Sequence, residues 1–368
     1  MIPKYFLLFF CVVLSMPVVG QIFFVDSADH TPISGVNIYT RYGNLIGFSN
    51  KDGQFDLLDG IQVKGEDLLG LAAQHISYQT KNINIPSLKT KFTVLLNPRS
   101  TKLQEVIISP KNSDVIVLKG YFRSLETFNK KNKYFIDGLM EYYIPSNGQK
   151  SRFRLLDYRV FCDSVIVRDY DDKMGSFFLV SHIVEIPFKH ILKNSKIYSI
   201  EKKQPNLSYI MKNEKQAGTI SYNKDSESMQ IFIDQVLPDT ILKDKIFRLE
   251  INTKQKVQVE NYSSLEIEKA NLYHLLNIYQ HEVATIKRKA EFGHLPYEIL
   301  SEFYILDRNF MSSDNFKKMK KQLSSNSYKS PNKSKYSNEF WKNLDQYDIP
   351  PINNGLLNQL YQNLKLVN

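Results

Sequence analysis

The sequence predicts a mainly β protein: a seven-stranded β-sandwich, then an α+β region with a curved antiparallel sheet and a few helices. Three observations point there. Short alternating segments separated by glycine and Asp-Gly turns run from Ile22 to Leu96. From Asn112 onward longer polar–aromatic alternations take over, rich in Tyr and Phe, as half-buried pleated surfaces require. Cys162 is the only cysteine beyond residue 11, so an intramolecular disulfide between these regions is excluded and ordinary cores must hold them.

Residues 1–20 read as a signal peptide. Lys4 is the only charged side chain before Asp26, Tyr5 to Leu14 is apolar, and Pro17 with Val18-Val19-Gly20 leads to a cleavage point before Gln21. The apolar run is too short to span a bilayer, and no second long run follows. An exported protein is expected: periplasmic, outer-membrane associated or secreted.

In residues 21–110, Val36, Ile38 and Thr40 share one strand face, with Asn37, Tyr39 and Arg41 on the other. Gly43-Asn44 turns the chain and Leu45 to Ser49 returns it. Lys51-Asp52-Gly53 makes a second turn, where glycine accepts the positive φ that tight hairpins need. Phe55 and Leu57 re-enter the core. Leu69, Leu71 and Ala73 follow, then Ile83 and Ile85, then Phe92, Val94 and Leu96. Short strands spaced by turns in this way argue for a sandwich.

These residues resemble the carboxypeptidase regulatory-like domain found in envelope proteins of Bacteroidota type. The resemblance rests on Val25-Asp26-Ser27 ahead of Pro32-Ile33, on Asn50 to Phe55, on Ile76-Ser77-Tyr78, and on Leu103 to Ile108. It implies a transthyretin/Ig-like sandwich serving as a non-catalytic accessory or docking module. Phe23-Phe24 departs from the glycine usual in the opening strand. The second half resembles the corresponding part of uncharacterised secreted proteins that begin with the same domain, through GLMEYYI, EFYILDRNF and the tail.

Residues 111–310 are expected to form the antiparallel β-rich domain. Lys133 to Ile144, Arg152 to Cys162, Ser176 to Phe188, Leu207 to Lys212, Gly218 to Asn223, Met229 to Val236 and Phe247 to Asn252 read as strands. A short helix is expected from Ser264 or Glu266 through Asn277. Gln280 to Lys289 fits helix or strand, and a strand paired with Glu298 to Leu306 is preferred. Residues 311–368 read as a lysine-rich segment that docks on the β domain. A helix is expected behind Ser312 or Ser313, with Asp314 near its positive end. A final helix is expected to align Leu356, Leu357, Leu360 and Leu364.

The chain carries +10 at neutral pH, and Met311 to Lys342 holds eight lysines against Asp314 and Glu339. An exported chain is not expected to meet nucleic acid, and this stretch reads as a solvated face. Another envelope protein, a glycan or a lipidic ligand is the expected partner.

No arrangement of residues commits to chemistry, so no catalytic, metal or cofactor residue is assigned. His281-Glu282 opens like a zincin helix, but Thr285 stands where the second histidine belongs. His182 and Glu185 sit three apart in an alternating strand and face opposite sides. Gly60 to Gly65 has phosphate-loop spacing, with Glu66 in place of lysine. Ser199 to Lys202 and Ser313-Asp314-Asn315 imitate acyltransferase motifs without Lys-Thr-Gly. His274 and His281 would share a helix face without a third ligand. Glu291 and His294 flank a turn. Asp171-Asp172 is read as a loop pair, and Cys162 as an unreactive strand thiol. The expected role is therefore non-catalytic docking or binding, with carbohydrate binding and a hydrolase of unrecognised site as alternatives.

Overall fold

The computed structural model describes residues 20–57, 70–85, 91–99, 114–146, 149–175, 183–184, 197–224, 227–237, 239–246, 248–326 and 331–368. The leader to residue 19, the Gly60–Gly65 pattern, Leu103 to Ile108, His182, Glu185 and most of the 176–188 strand lie outside them.

Seven strands make two sheets. β1 (Gln21–Asp26) lies between β4 (Gln54–Asp56) and β7 (Lys91–Leu96), antiparallel to the first and parallel to the second. The second sheet runs β3 (Leu45–Phe48), β2 (Asn37–Thr40), β5 (Gly70–His75), β6 (Tyr78–Asn84), all antiparallel. Ile22 and Phe24 of β1, Ile38 of β2 and Leu71 of β5 bury together with Phe55 and Val94. Each such side chain contributes about 1.5–3 kcal/mol on burial. Both faces of β2 are covered. Its Ile38 face meets this core, while Asn37 accepts a hydrogen bond from the Tyr279 hydroxyl of the larger sheet at 2.5 Å.

The larger sheet has twelve strands. β8 (Val115–Phe128), β9 (Lys131–Pro145) and β10 (Arg152–Cys162) form one antiparallel run. The chain then passes through α1 (Ser164–Met174) to the far edge. From there it returns by β11 (Tyr198–Gln204), β12 (Leu207–Lys212), β13 (Lys215–Asn223) and β14 (Ser228–Asp234). β16 (Leu249–Tyr262), β17 (Leu275–Lys287) and β18 (Leu295–Met311) complete the return, and β18 pairs with β8. β15 (Leu242–Ile246) pairs with the first half of β16. Bulges at β8–β18, β9–β10 and β16–β17 add local bend and twist.

Alternation gives the sheet two different faces. One carries Phe122, Ile136, Met140, Ile231, Ile278 and Phe303 in a single apolar cluster. Ile183 and Val184, from the connection between α1 and β11, are buried in it, as are Ile267 and Ala270. The other face receives the N-terminal strands and the C-terminal segment. Tyr39 and Ala72, then Leu125, Phe135 and Phe161 of the sheet, meet Ile352, Leu356, Leu360 and Leu364 in a three-way seam. Gly43 and Gly355 touch there: a Cβ on Gly43, whose φ is +82°, would lie 2.1 Å from the Leu356 nitrogen.

The C-terminal segment begins with α2 (Ser313–Met319), capped by Ser312 as its sequence predicts. Backbone bridges then hold Ser324 to Phe153 and Lys335 to Tyr158 along β10. A 3₁₀ stretch, Phe340–Tyr347, leads to α3 (Asn354–Gln359) and the short strand β19 (Lys365–Leu366), which pairs with β10.

Several expectations are corrected. Asp171 and Asp172 lie in α1, whose N-cap Asp163 accepts from the Val165 and Ile166 amides, so they are helical and not in a loop. Residues 264–274 are turns, because the β17 ladder begins at Leu275 and takes up the expected helix. Leu357 is 47% exposed, since α3 ends before the stripe can continue and Leu360 and Leu364 bury through the turn beyond it. Pairing of β17 with β18 agrees with the strand preferred for Gln280 to Lys289. Among the described residues no helix is long and apolar enough to cross a membrane.

Candidate functional site

A row of side chains crosses the face of the large sheet that meets the N-terminal strands. Cross-strand pairing sets Ser221, Gln230, Asn261, Asn277, Tyr304 and Tyr121 side by side on successive strands. Position fixes the hydrogen bonds. Gln230 Nε2 donates to Asn261 Oδ1 at 3.1 Å, and Asn261 Nδ2 donates to Asn277 Oδ1 at 2.5 Å. Gln230 Nε2 also donates to Ser77 Oγ of the β5–β6 turn at 3.1 Å, tying this ladder to the N-terminal unit.

Above the ladder lies a cleft of about 750 Å³, counting its part open to solvent. Its N-terminal wall is built from Asp26, Asp29, Thr31, Ser77, Tyr78 and Arg99. Its floor and far wall include Ser221, Asn223, Ser228, Gln230, Asn261 and Asn277. Asp26 ends β1 on the buried side of that strand and takes hydrogen bonds from the Tyr78 hydroxyl at 2.8 Å and the Ala28 amide at 2.7 Å. Burial and then the Asp26 charge hold the Tyr78 phenol well above its ordinary range, so it remains a donor. Asp29 is held by the Thr31 amide and hydroxyl and by the Asn206 side chain. Burial lowers the Arg99 guanidinium from its usual value, and Arg99 donates to the Asp348 carbonyl of the C-terminal segment. Both carboxylates are thus braced by donors from the protein.

The next row on the same face carries charge. Glu302, Arg123, Asp137 and Arg159 are cross-strand neighbours on β18, β8, β9 and β10, and all four are buried. Arg123 pairs with Glu302 and donates to the Pro350 carbonyl at 2.7 Å. Arg159 grips Asp137 with two nitrogens, at 2.9 and 2.5 Å. The Tyr304 hydroxyl donates to Glu302 at 3.0 Å and the Tyr121 hydroxyl to Asp137 at 3.1 Å. Trp341 covers Arg159, with the guanidinium 4.0 Å from its ring centre, a cation–π contact. These charges are paired and roofed by the C-terminal segment, which makes the row a structural brace.

The residues singled out in the sequence do not assemble. His281 lies within β17, 3.3 Å from Glu298 and with its ring tilted against Phe48 at 4.7 Å between centres, while His274 precedes that strand, so no shared helix face exists. Ser199 to Lys202 lie in the exposed edge strand β11, and Ser313-Asp314-Asn315 open α2. His294 faces Asn252 and Glu250 across a turn. Cys162 ends β10, where burial and then Asp163 raise its thiol. Among the described residues no group of three or more His, Cys, Asp or Glu side chains is arranged to hold a metal ion.

Sequence reasoning missed the amide ladder. A signal was present: Asn261 continues the face of Val257 and Val259, and Asn277 that of Tyr279, so each puts an amide where alternation calls for an apolar group.

No family model matches the chain. No curated protein matches it either. Among solved structures, one titled "Lipid-protein interactions in lipovitellin" is similar over 54% of this chain and 26% of that one, at 6% identity and a TM-score of 0.19. The chain spans about a quarter of that protein's length, and a likeness this slight carries no argument.

Proposed function

We propose that this is an exported, non-catalytic binding protein, and that its ligand site is the cleft between the N-terminal strands and the large sheet. One observation carries the reading: side chains from both units converge on a cleft whose floor is a hydrogen-bonded amide ladder. Binding clefts orient a ligand with a few fixed polar groups, and groups anchored on strands are held in place before the ligand arrives. The carboxylates there are already engaged by Tyr78, Ala28, Thr31 and Asn206, and they serve the wall itself. The accessory-domain resemblance of residues 21–110 and the leader reading support an envelope setting for this activity.

The test is to isolate the full protein from its native envelope, identify retained molecules by mass spectrometry, and follow hydrogen exchange at β14, β16 and β17. A retained molecule that slows exchange on those strands is expected. Retention unaffected by Ser221→Trp, which blocks the cleft, would place the site elsewhere.

A further inference from the structure

The ligand class can be read from the floor of the cleft, an inference that rests on the cleft being the binding site. Gln230 uses both protons of its Nε2 on Ser77 and Asn261, and its Oε1 has no protein partner among the described residues. Asn277 accepts from Asn261 through Oδ1, and its Nδ2 is equally without a partner there. The ladder is therefore polarised. It ends in a spare acceptor on β14 and a spare donor on β17, with Asn261 between them on β16.

Strands lie about 4.8 Å apart, so the two spare groups project from backbones separated by about 10 Å. That span suits one sugar ring with its hydroxyls, or a hydroxyl on each of two linked rings. Hydroxyls both donate and accept, and an amide floor that offers one spare group of each kind satisfies them without any charge. The walls disfavour an anion, because Asp26 and Asp29 face the cleft against the single cation Arg99. An amine would be drawn to those carboxylates, but it would have to share their oxygens with Ala28, Tyr78, Thr31 and Asn206, which already donate to them. Ser221, Ser228 and Asn223 add neutral polar groups to the lining, and Pro98, Tyr222 and Leu276 add apolar surface of the kind a sugar ring can lie against. We propose that the cleft binds a neutral carbohydrate, with Gln230 Oε1 accepting from one hydroxyl and Asn277 Nδ2 donating to another.

The full chain is titrated with glucose, galactose, mannose, maltose, cellobiose and lactose, and with glucuronate and spermidine as charged probes. Calorimetry and amide chemical-shift changes report binding. At least one neutral sugar is expected to bind and to shift resonances of β14, β16 and β17. Gln230→Leu and Asn277→Leu should each weaken it at least tenfold, with an unchanged far-ultraviolet circular dichroism spectrum as the check that the sheet is kept. If either variant fails to fold, hydrogen-exchange protection of the wild-type floor by the sugar decides the matter without it. Binding of glucuronate or spermidine in place of every sugar overturns the carbohydrate class. So does sugar binding that ignores both variants, or the lack of sugar binding at about 50 mM. In those cases a native ligand that protects the same strands leaves the cleft reading standing. If nothing protects them, both readings fall together.

Discussion

Replacing Arg123 by Met tests whether the charged row holds the C-terminal segment in place. Arg123 and Glu302 are 5% and 2% exposed, so the substitution strands a carboxylate in the interior with the Tyr304 hydroxyl as its remaining donor. It also removes the donor to the Pro350 carbonyl. Losing one member of a buried pair costs about 3–5 kcal/mol, a large share of the roughly 5–15 kcal/mol that holds a typical domain. Adding Glu302→Gln removes the stranded charge, and the double variant is expected to recover about 2 kcal/mol relative to the sum of the single changes. Urea unfolding followed by the fluorescence of Trp341, the only tryptophan, reports both global stability and the release of the segment that covers Arg159. Limited proteolysis near residues 331–340 reports release separately. A cost below about 1 kcal/mol for Arg123→Met, or strict additivity in the cycle, would refute the brace.

Three further outcomes follow from the same geometry. Burial lifts the Glu260 carboxyl from 4.5 to about 7, only partly offset by hydrogen bonds from Tyr262 and Gln258. The folded state therefore favours the protonated form. The Glu260 contribution to stability is full below pH 4.5 and declines by about 3 kcal/mol as pH rises to about 7. Glu260→Gln should flatten that decline in urea titrations from pH 4 to 8, and an unchanged slope would contradict it. Gly43→Ala forces a side chain into a left-handed position and against the backbone of Gly355 and Leu356. A loss of about 2–4 kcal/mol is expected. Gly293→Ala, whose Cβ meets nothing within 4 Å, should stay within about 0.5 kcal/mol, and equal losses at the two sites would undo the seam. The Cys162 thiol, raised by burial and by Asp163, should react with a disulfide reagent at pH 7.4 at least tenfold more slowly than free cysteine.

Much of the β architecture was legible because alternation is a local signal. Arg152–Cys162 and Leu207–Lys212 form strands over the residues the sequence marks, and Ser312 caps α2. The helix α1 was hidden behind the Asp171-Asp172 pair, although Asp163 gives a good N-cap and Ile166, Tyr170 and Met174 repeat at helical spacing. The 264–277 segment misled in the opposite sense, since Leu272 and Leu276 mimic a helical stripe while pairing with β16 decides the outcome. The site was harder to see for a different reason. Ser77, Gln230, Asn261 and Asn277 are far apart in the chain, and only the order β14–β16–β17 and the docking of the β5–β6 turn bring them together. Polar groups scattered at strand spacing carry no motif. Asn37 and Tyr39, on the strand face opposite Ile38, are covered by the large sheet, a contact that local alternation does not reveal.

The central claim is that the cleft over Gln230, Asn261 and Asn277 is where this protein meets its ligand. The most direct measurement is hydrogen exchange of β14, β16 and β17 in protein taken from its native cells, compared with the same protein after denaturation and refolding in plain buffer. Slower exchange on those three strands in the native preparation, lost on refolding and absent from Ser221→Trp, is the expected result. Identical exchange in the two preparations, or protection confined to the opposite face of the sheet, would contradict it.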